Sequence, residues 1–566
     1  MSKKIICPKA TLFIATAMLS SLTACELSVS ADSDSGIISS ANNSSSSISS
    51  EMDSPKSSSS LQEPKEKADT DCEGETGDPW NGTTAKKFAC GSGSAGNPYV
   101  IRNAEQLANL SFVIGAGEEK YIGKYFKLGA DIILNKGELI DSDGMPVDST
   151  ADLLKWTPIG KSEAPFVGHF DGNGFSISGL YVGSDRDYNG LFGFCSCSIK
   201  NLTIKNSWIK GGQLSGAVAG AISGDAVLEN ITVKANVFST YQTAGGIVGQ
   251  AEGGTGKTRI NNVKSYGKIF SQTFSGGIVG VGGNIEITNA KNYAKVTGHT
   301  NTAGIAGGMH SDVTVSSSEN AGEIEGTSNV GGIVGYFVDN GTVKESRNSA
   351  KITGYMAVGG IVGKGEDMSV RSVTNSAEIT GRTRIGGIVG DANNLKVEDV
   401  YNTGDIYSAE SAGGIVGMYR SGVTRNAYTT GKNISVPANF KNVGLMIGVN
   451  ENTTLADYYY IEQEVSDTTR SYILDEVTDP IPVETPVYGE GVGPDTVACC
   501  TDYPVISQPI IEITTKKIPA FGSSNGGIAL PKTAEEMKTK AFAELLGDEF
   551  VYDSKKNDGY PVLKWE

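Results

Sequence analysis

The chain has 566 residues, 73 of them glycine and 18 proline, with a formal charge of −17 and a hydrophobic share of 38%. Glycine at well above its usual share of about 7%, without a strict triplet, excludes collagen and points to repeated tight turns. The acidic balance, with no basic run outside the N-terminal leader, excludes nucleic acid and anionic membrane surfaces as natural partners.

Residues 1–24 read as a signal peptide. Lys3 and Lys4 precede a 13-residue apolar run, Ala10 to Leu22, that is too short to span a bilayer comfortably. Leu22-Thr23-Ala24-Cys25 resembles the bacterial lipobox, which implies cleavage after Ala24 and lipid on Cys25. Several acyl chains anchor stably where one alone does not. The expected address is the bacterial cell envelope, lipid-anchored, with the outer membrane and surface exposure as the commoner outcome. Loss of Lys3, Lys4 and Lys9 with the leader takes the formal charge from −17 to −20. Residues 25–71 are the linker that follows. Between Ser28 and Ser60, 17 of 33 residues are serine, and so little apolar content makes a flexible tether that reaches roughly 35–40 Å.

Residues 72–210 are expected to form an N-terminal cap and the opening rungs. Tyr99-Val100-Ile101 is β-like, and Ala104 to Ile114 has apolar residues at helical spacing. A helix there would cap a sheet edge that could otherwise recruit other chains. Asp171-Gly172-Asn173-Gly174 is a turn sequence, since Asp, Asn and Gly tolerate positive φ.

Residues 211–450 carry the repeat. GGIVG stands at 245–249, 276–280, 331–335, 359–363, 386–390 and 413–417, with looser copies at 216–220, 303–307 and 444–448 and GLFG at 190–193. The last glycines of these ten rungs are 27 to 31 residues apart. A unit of that length cannot bury its own apolar face and must stack on its copies. A second column, Asn-x-(Ala/Gly)-x-(Ile/Val), begins at Asn292, Asn320, Asn348, Asn375 and Asn402, with Ser265 as a variant. Each rung offers three short β-prone runs, and none is long enough or periodic enough for a helix. The predicted fold is an all-β, right-handed parallel β-helix solenoid of about ten rungs, roughly 50 Å long, with short capping helices at both ends. Gly-Gly is expected at corners with positive φ and close coil-to-coil approach, and the asparagines are expected to stack as an amide ladder. Alternation would bury only one of Ile361 and Val362 unless the corner is a bulge.

These residues resemble a known family. GGIVG with its GLFG variant is similar to the GLUG motif of bacterial cell-surface proteins, a pectate-lyase-like β-helix repeat. TPIG at 157–160, FVGHFDGNGFSISGLYV at 166–182 and DGYPVLKW at 558–565 are similar to the way such domains open and close. The resemblance implies a surface location and is weak on activity, since the motif occurs in adhesin-like proteins and beside some secreted peptidases.

Residues 451–566 lose the period and read as a closing segment. Thr533-Ala534-Glu535-Glu536 is a capping box for a helix to about Leu546, stopped by Gly547. Six cysteines remain once Cys7 is removed and Cys25 acylated, and export permits their oxidation. Cys72 with Cys90 is the preferred bridge. Cys195 and Cys197 on one strand would be roughly 6.6 Å apart, and the adjacent Cys499 and Cys500 would be strained.

His169, His299 and His310 stand outside any HExxH, and no GxSxG elbow, P-loop or dinucleotide fingerprint is present. Asp141-Ser142-Asp143-Gly144 lacks the remaining ligands of a calcium loop. No cofactor, metal or catalytic residue is therefore expected. The leading reading is a surface lipoprotein whose β-helix binds an extracellular glycan or protein, held to the membrane through Cys25. A glycan lyase or hydrolase and a passive spacer are the alternatives. The variable turn before each Gly-Gly holds Tyr241, Phe274, Tyr355, Arg382 and Arg384. Tyr and Arg are residue types that dominate interfaces, so this edge is the candidate ligand site.

Overall fold

The structure is a computed structural model that describes residues 72, 76–140, 153–183, 186–435, 442–455, 458–461, 469–474, 506–512, 521–524 and 529–566. The chain divides into Met1–Lys65 and Glu66–Glu566. The leader, Cys25, the linker to residue 71, Asp141 to Gly144, Cys499 and Cys500 lie outside the described residues.

Glu66–Glu566 contains an all-β parallel solenoid of about twelve turns. The turns beyond the ten repeat rungs come from strands without GGIVG or its looser copies. Tyr99–Ile101 pairs with Lys124–Leu128, which pairs with Gly168–Asp171, and Phe521–Ser524 pairs with Ile447–Leu455 after the last repeat. A typical coil holds Thr383–Gly386, Val389–Asn402 and Ile406–Ser408. The short strand joins a ten-stranded sheet, one strand per repeat rung, and the other two join the large sheet. Registers are like on like: Val362 faces Val389, which faces Val416, and Gly359 faces Gly386, which faces Gly413.

GGIVG is not one strand. The chain leaves the short strand at the first glycine and enters the long one at Val, so the corner falls on Gly-Ile. Ile361 and Val362 therefore belong to different walls, and both are fully buried. The glycines are also needed for a different reason than expected. None of the repeated Gly-Gly pairs has positive φ. A Cβ on Gly360 would instead lie 2.1 Å from the Gly387 carbonyl oxygen and 2.6 Å from Asn375 Cγ, so the requirement is close approach. Left-handed corners fall on polar residues within the long strand, among them Asn201, Asn230, Asn262, Asn289, Asp399 and Asn426. Asn and Asp tolerate that conformation better than other side chains.

The asparagine column is a buried amide ladder. Asn292 Nδ2 donates to Asn320 Oδ1 at 2.9 Å, Asn320 to Asn348 at 2.7 Å, Asn348 to Asn375 at 2.8 Å and Asn375 to Asn402 at 2.8 Å. Each Nδ2 also donates to the carbonyl two residues on, and each Oδ1 accepts the N–H there. Both amide groups are thus satisfied without water, which is what makes burial affordable in free energy.

Helix Ala104–Gly115 is capped by Asn103, whose side chain accepts from Gln106 N at 3.1 Å. Its Leu107, Leu110, Val113 and Ile114 share the core with Phe126, Phe166 and Phe170 of the first coils. At the other end the single expected helix is two. Thr533 and Glu536 form the capping box of Ala534–Met537, and Thr539 then caps Lys540–Leu546. Phe542, Leu546 and Phe550 of this segment pack on Tyr401, Tyr428 and Tyr459, which are outward residues of successive coils. The segment thus lies along a flank of the coils it covers. Burial, and next the Glu566 carboxylate at Tyr401 Oη, hold the Tyr401 phenol above its ordinary range.

Cys72 and Cys90 are disulfide-bonded with Cα atoms 5.2 Å apart. Cys195 and Cys197 are bonded as well, at 5.5 Å. Cys195 ends one strand and the next begins at Ser198, so the bend brings the pair closer than one straight strand allows.

Asn348→Ala should cost about 2 kcal/mol in equilibrium unfolding, because the Asn320 amide loses its acceptor inside the wall. Gly360→Val should lower the melting temperature, whereas the same change at Gly36 in the linker should not. Equal tolerance at the two glycines would remove the close-approach explanation.

Candidate ligand-binding edge

The turn before each short strand does line one edge of the solenoid. Backbone bonds run from Thr327 N to His299 O, Tyr355 N to Thr327 O, Arg382 N to Tyr355 O and Glu410 N to Arg382 O, coil by coil. Tyr355 and Arg382 are neighbours, as the period implies. The Arg382 guanidinium lies 5.2 Å from the Tyr355 ring centroid and donates to its hydroxyl. Arg382 Nε also donates to Glu410 Oε1 at 2.7 Å. Three coils thus contribute one ring, one cation and one carboxylate to a partly exposed string.

The remaining candidates do not join it. Tyr241 is 55% exposed on a coil four steps away, roughly 19 Å along the axis. Phe274 is partly buried and covers Gly308, where a Cβ would meet its ring at 2.5 Å. Arg384 turns to the neighbouring wall and binds Asp391 at 2.9 Å. Asp391 has a fully buried carboxylate that also accepts from Arg420 Nη1 and Nη2. Two guanidinium groups compensate its desolvation, so Arg384 is committed to holding the wall. The sequence missed Asp391 because its partners stand 7 and 29 residues away, across a corner and on the next coil.

A second polar cluster crosses two coils. His310 Nε2 lies 3.2 Å from Glu252 Oε1, and Gly283 sits between them in register. Without a side chain at Gly283 the imidazole spans the gap. The hydrogen bond to Glu252 raises the His310 pKa above its ordinary value, against the opposing effect of burial. His169 behaves oppositely. It stacks on Tyr125 with centroids 4.1 Å apart, and burial, then Lys200, lower its pKa.

A third feature lies one residue past the asparagine column. Ser178, Lys205, Lys234 and Tyr266 are in register on successive coils, and Tyr293 follows. In the later coils the same position holds only Ala321, Ser349, Ser376 and Thr403. Bulk at that position was the available sequence signal, but it becomes visible only once the ladder fixes the frame.

No protein-family model matches the chain. A protein named "Putative Gly-rich membrane protein" from Evansella cellulosilytica is 32% identical over 154 residues, which are 26% of this chain and 16% of that protein. "Halomucin" from Haloquadratum walsbyi is 30% identical over 179 residues, 30% of this chain and 2% of its own length. The chain therefore spans only a small part of either relative. A solved structure from Bacteroides ovatus, named a "putative immunoglobulin A1 protease", aligns with 85% of this chain and 96% of its own at 17% identity and a TM-score of 0.30. A likeness of that degree carries nothing about activity.

Asp391→Ala should destabilise the fold by about 3 kcal/mol, since it leaves two partly buried guanidinium groups without their shared acceptor. Chemical denaturation measures this. The His310–Glu252 pair should stabilise the solenoid fully below the unfolded histidine value of about 6.5 and lose that effect as pH rises through the higher folded value. Melting temperature should therefore fall from pH 6 to pH 8 more in wild type than in His310→Gln. Parallel curves for the two proteins would show that the pair contributes nothing.

Proposed function

We propose that this is a cell-envelope protein whose solenoid presents a binding surface, as an adhesin or ligand-binding module of the GLUG type. The observation that carries the reading is the contrast between inner and outer columns. Ile278, Ile305, Ile333, Ile361, Ile388 and Ile415 repeat without change and are fully buried. The register column just beyond the corner reads Gln250, Val281, Gly308, Tyr336, Lys364, Asp391 and Met418 in successive coils, and all of these but the buried Gly308 and Asp391 are partly exposed. Inner positions must match their neighbours to close the wall. Outer ones are free to differ, and so can be fitted to a ligand.

Two further supports concern location. The lipobox-like Leu22 to Cys25 and the serine-rich tether suit a lipid-anchored protein held clear of its membrane. The relatives are named a Gly-rich membrane protein and halomucin, in keeping with an envelope address. On the ligand side, the Tyr355–Arg382–Glu410 string and the exposed Tyr241 are the contact groups of the turn edge, in two patches. Arg384 is removed from that set by its bond to Asp391.

Cys25→Ser should release the protein from membranes or stall its processing, and wild type should incorporate labelled palmitate. Absence of label in wild type would exclude the lipid anchor. Replacing Tyr241, Tyr355 and Arg382 together by Ser should reduce adhesion to immobilised extracellular glycans or proteins, with the circular dichroism spectrum preserved. Unchanged adhesion with an intact fold would move the contact surface off this edge.

A further inference from the structure

The basic and aromatic column past the asparagine ladder borders a cleft of about 610 Å³. Lys205, Asn206, Lys234, Asn236 and Tyr266 line it, and Glu138 is the one acid among its described lining residues. Lys205 and Lys234 are Cα partners on adjacent coils, and both are exposed. Elsewhere the register sets many cations against a carboxylate one coil away: Lys291 with Glu319 at 3.1 Å, Lys351 with Glu378 at 2.8 Å, Arg382 with Glu410 at 2.7 Å. Lys205 and Lys234 have no ion pair among the described residues. Like charges directly opposite one another in a sheet are unfavourable, and an anion between the two ammonium groups would relieve them.

The aromatic half of the column completes the surface. The Lys234 ammonium lies 5.6 Å from the Tyr266 ring centroid, and Tyr266 stacks on Tyr293 at 4.8 Å with 12° between planes. Tyr293 is 39% exposed, and its successor on the next coil is Ala321. No side chain of that column beyond a methyl lies over the far face of the Tyr293 ring. From Lys205 to Tyr293 is three coil steps, roughly 14 Å. A cationic cleft thus leads along the axis to an open aromatic shelf.

We propose that this column binds an acidic oligosaccharide along the solenoid axis, with sugar carboxylates on Lys205 and Lys234 and a sugar ring on the face of Tyr293. A carboxylated glycan carries its charges at the repeat of its rings and presents apolar C–H faces between them, which suits both halves of the surface. A single nucleic acid strand carries a comparable charge, and the test separates the two. The inference rests on the reading of the solenoid as a binding surface, and it names a ligand class that the turn edge does not.

The test is isothermal titration of the full chain with hexagalacturonate, neutral maltohexaose and a single-stranded DNA hexamer as probes. Hexagalacturonate alone should bind. Lys205→Gln combined with Lys234→Gln should weaken it on the order of tenfold or more, as loss of charge-assisted bonds implies, and Tyr293→Ala should weaken it in a protein of unchanged melting temperature. Equal binding of maltohexaose, tighter binding of the DNA, or an unaltered affinity in the double lysine variant would each overturn the proposal. If wild type binds no hexagalacturonate yet still adheres to extracellular material, the acidic-glycan inference falls and the binding-surface reading stands. Loss of both would remove the two together.

Discussion

Parallel stacking in register governs this molecule, because it makes the nearest neighbour of every side chain its own counterpart one coil away. Inside the walls, groups that attract or nest against copies of themselves can be repeated, and groups that repel cannot. Isoleucine, valine, the asparagine amide and glycine meet that condition, and they are the residues found at the invariant positions. An amide is both donor and acceptor, so Asn320 can give to Asn348 while accepting from Asn292. A carboxylate has no such option. Asp391 is tolerated in the wall because arginines from the turn and the next coil take its oxygens.

The same constraint explains what was legible in the sequence. Period, strand count per rung, the amide ladder and the N-terminal helix are all properties of positions that recur or of one continuous segment, and they follow from spacing alone. The corner was not legible in this way. GGIVG looks like one strand because β-branched residues follow the glycines, yet the walls meet at Gly-Ile and both Ile361 and Val362 turn inward. Positive φ was assigned to the Gly-Gly pairs on their intrinsic freedom, while none of those pairs adopts it: many left-handed corners of the long strands fall on Asn or Asp, and the paired glycines stand where a Cβ would strike a neighbouring carbonyl.

The candidate edge was legible only in part. The order of turns along one side follows from the period, and so does the adjacency of Tyr355 and Arg382. Which side chains remain available does not, because availability depends on groups around corners. Arg384 is drawn to a residue 7 positions on, and Phe274 settles over Gly308. The C-terminal segment adds a third kind of hidden relation. Tyr401, Tyr428 and Tyr459 read as three outward tyrosines in a repeat, but Phe542 and Phe550 cover that flank from a part of the chain with no repeat at all.

Coil-to-coil identity has a bearing on how such a chain can vary between lineages. The stretch from Tyr336 to Gly363 is one complete unit, closing with the glycine equivalent to Gly335. Recombination that deleted it would place Lys364 after Gly335 and set Asn320 beside Asn375, and the buried ladder would close again with the same bonds. Such an excision takes Tyr355 out of the turn-edge string and moves the flank covered by the C-terminal segment one step, roughly 4.8 Å, nearer to the lysine and tyrosine column, which keeps all its residues. Array length and the chemistry of that column are therefore separately heritable, since a whole unit beyond the column can be lost without any change in the column itself.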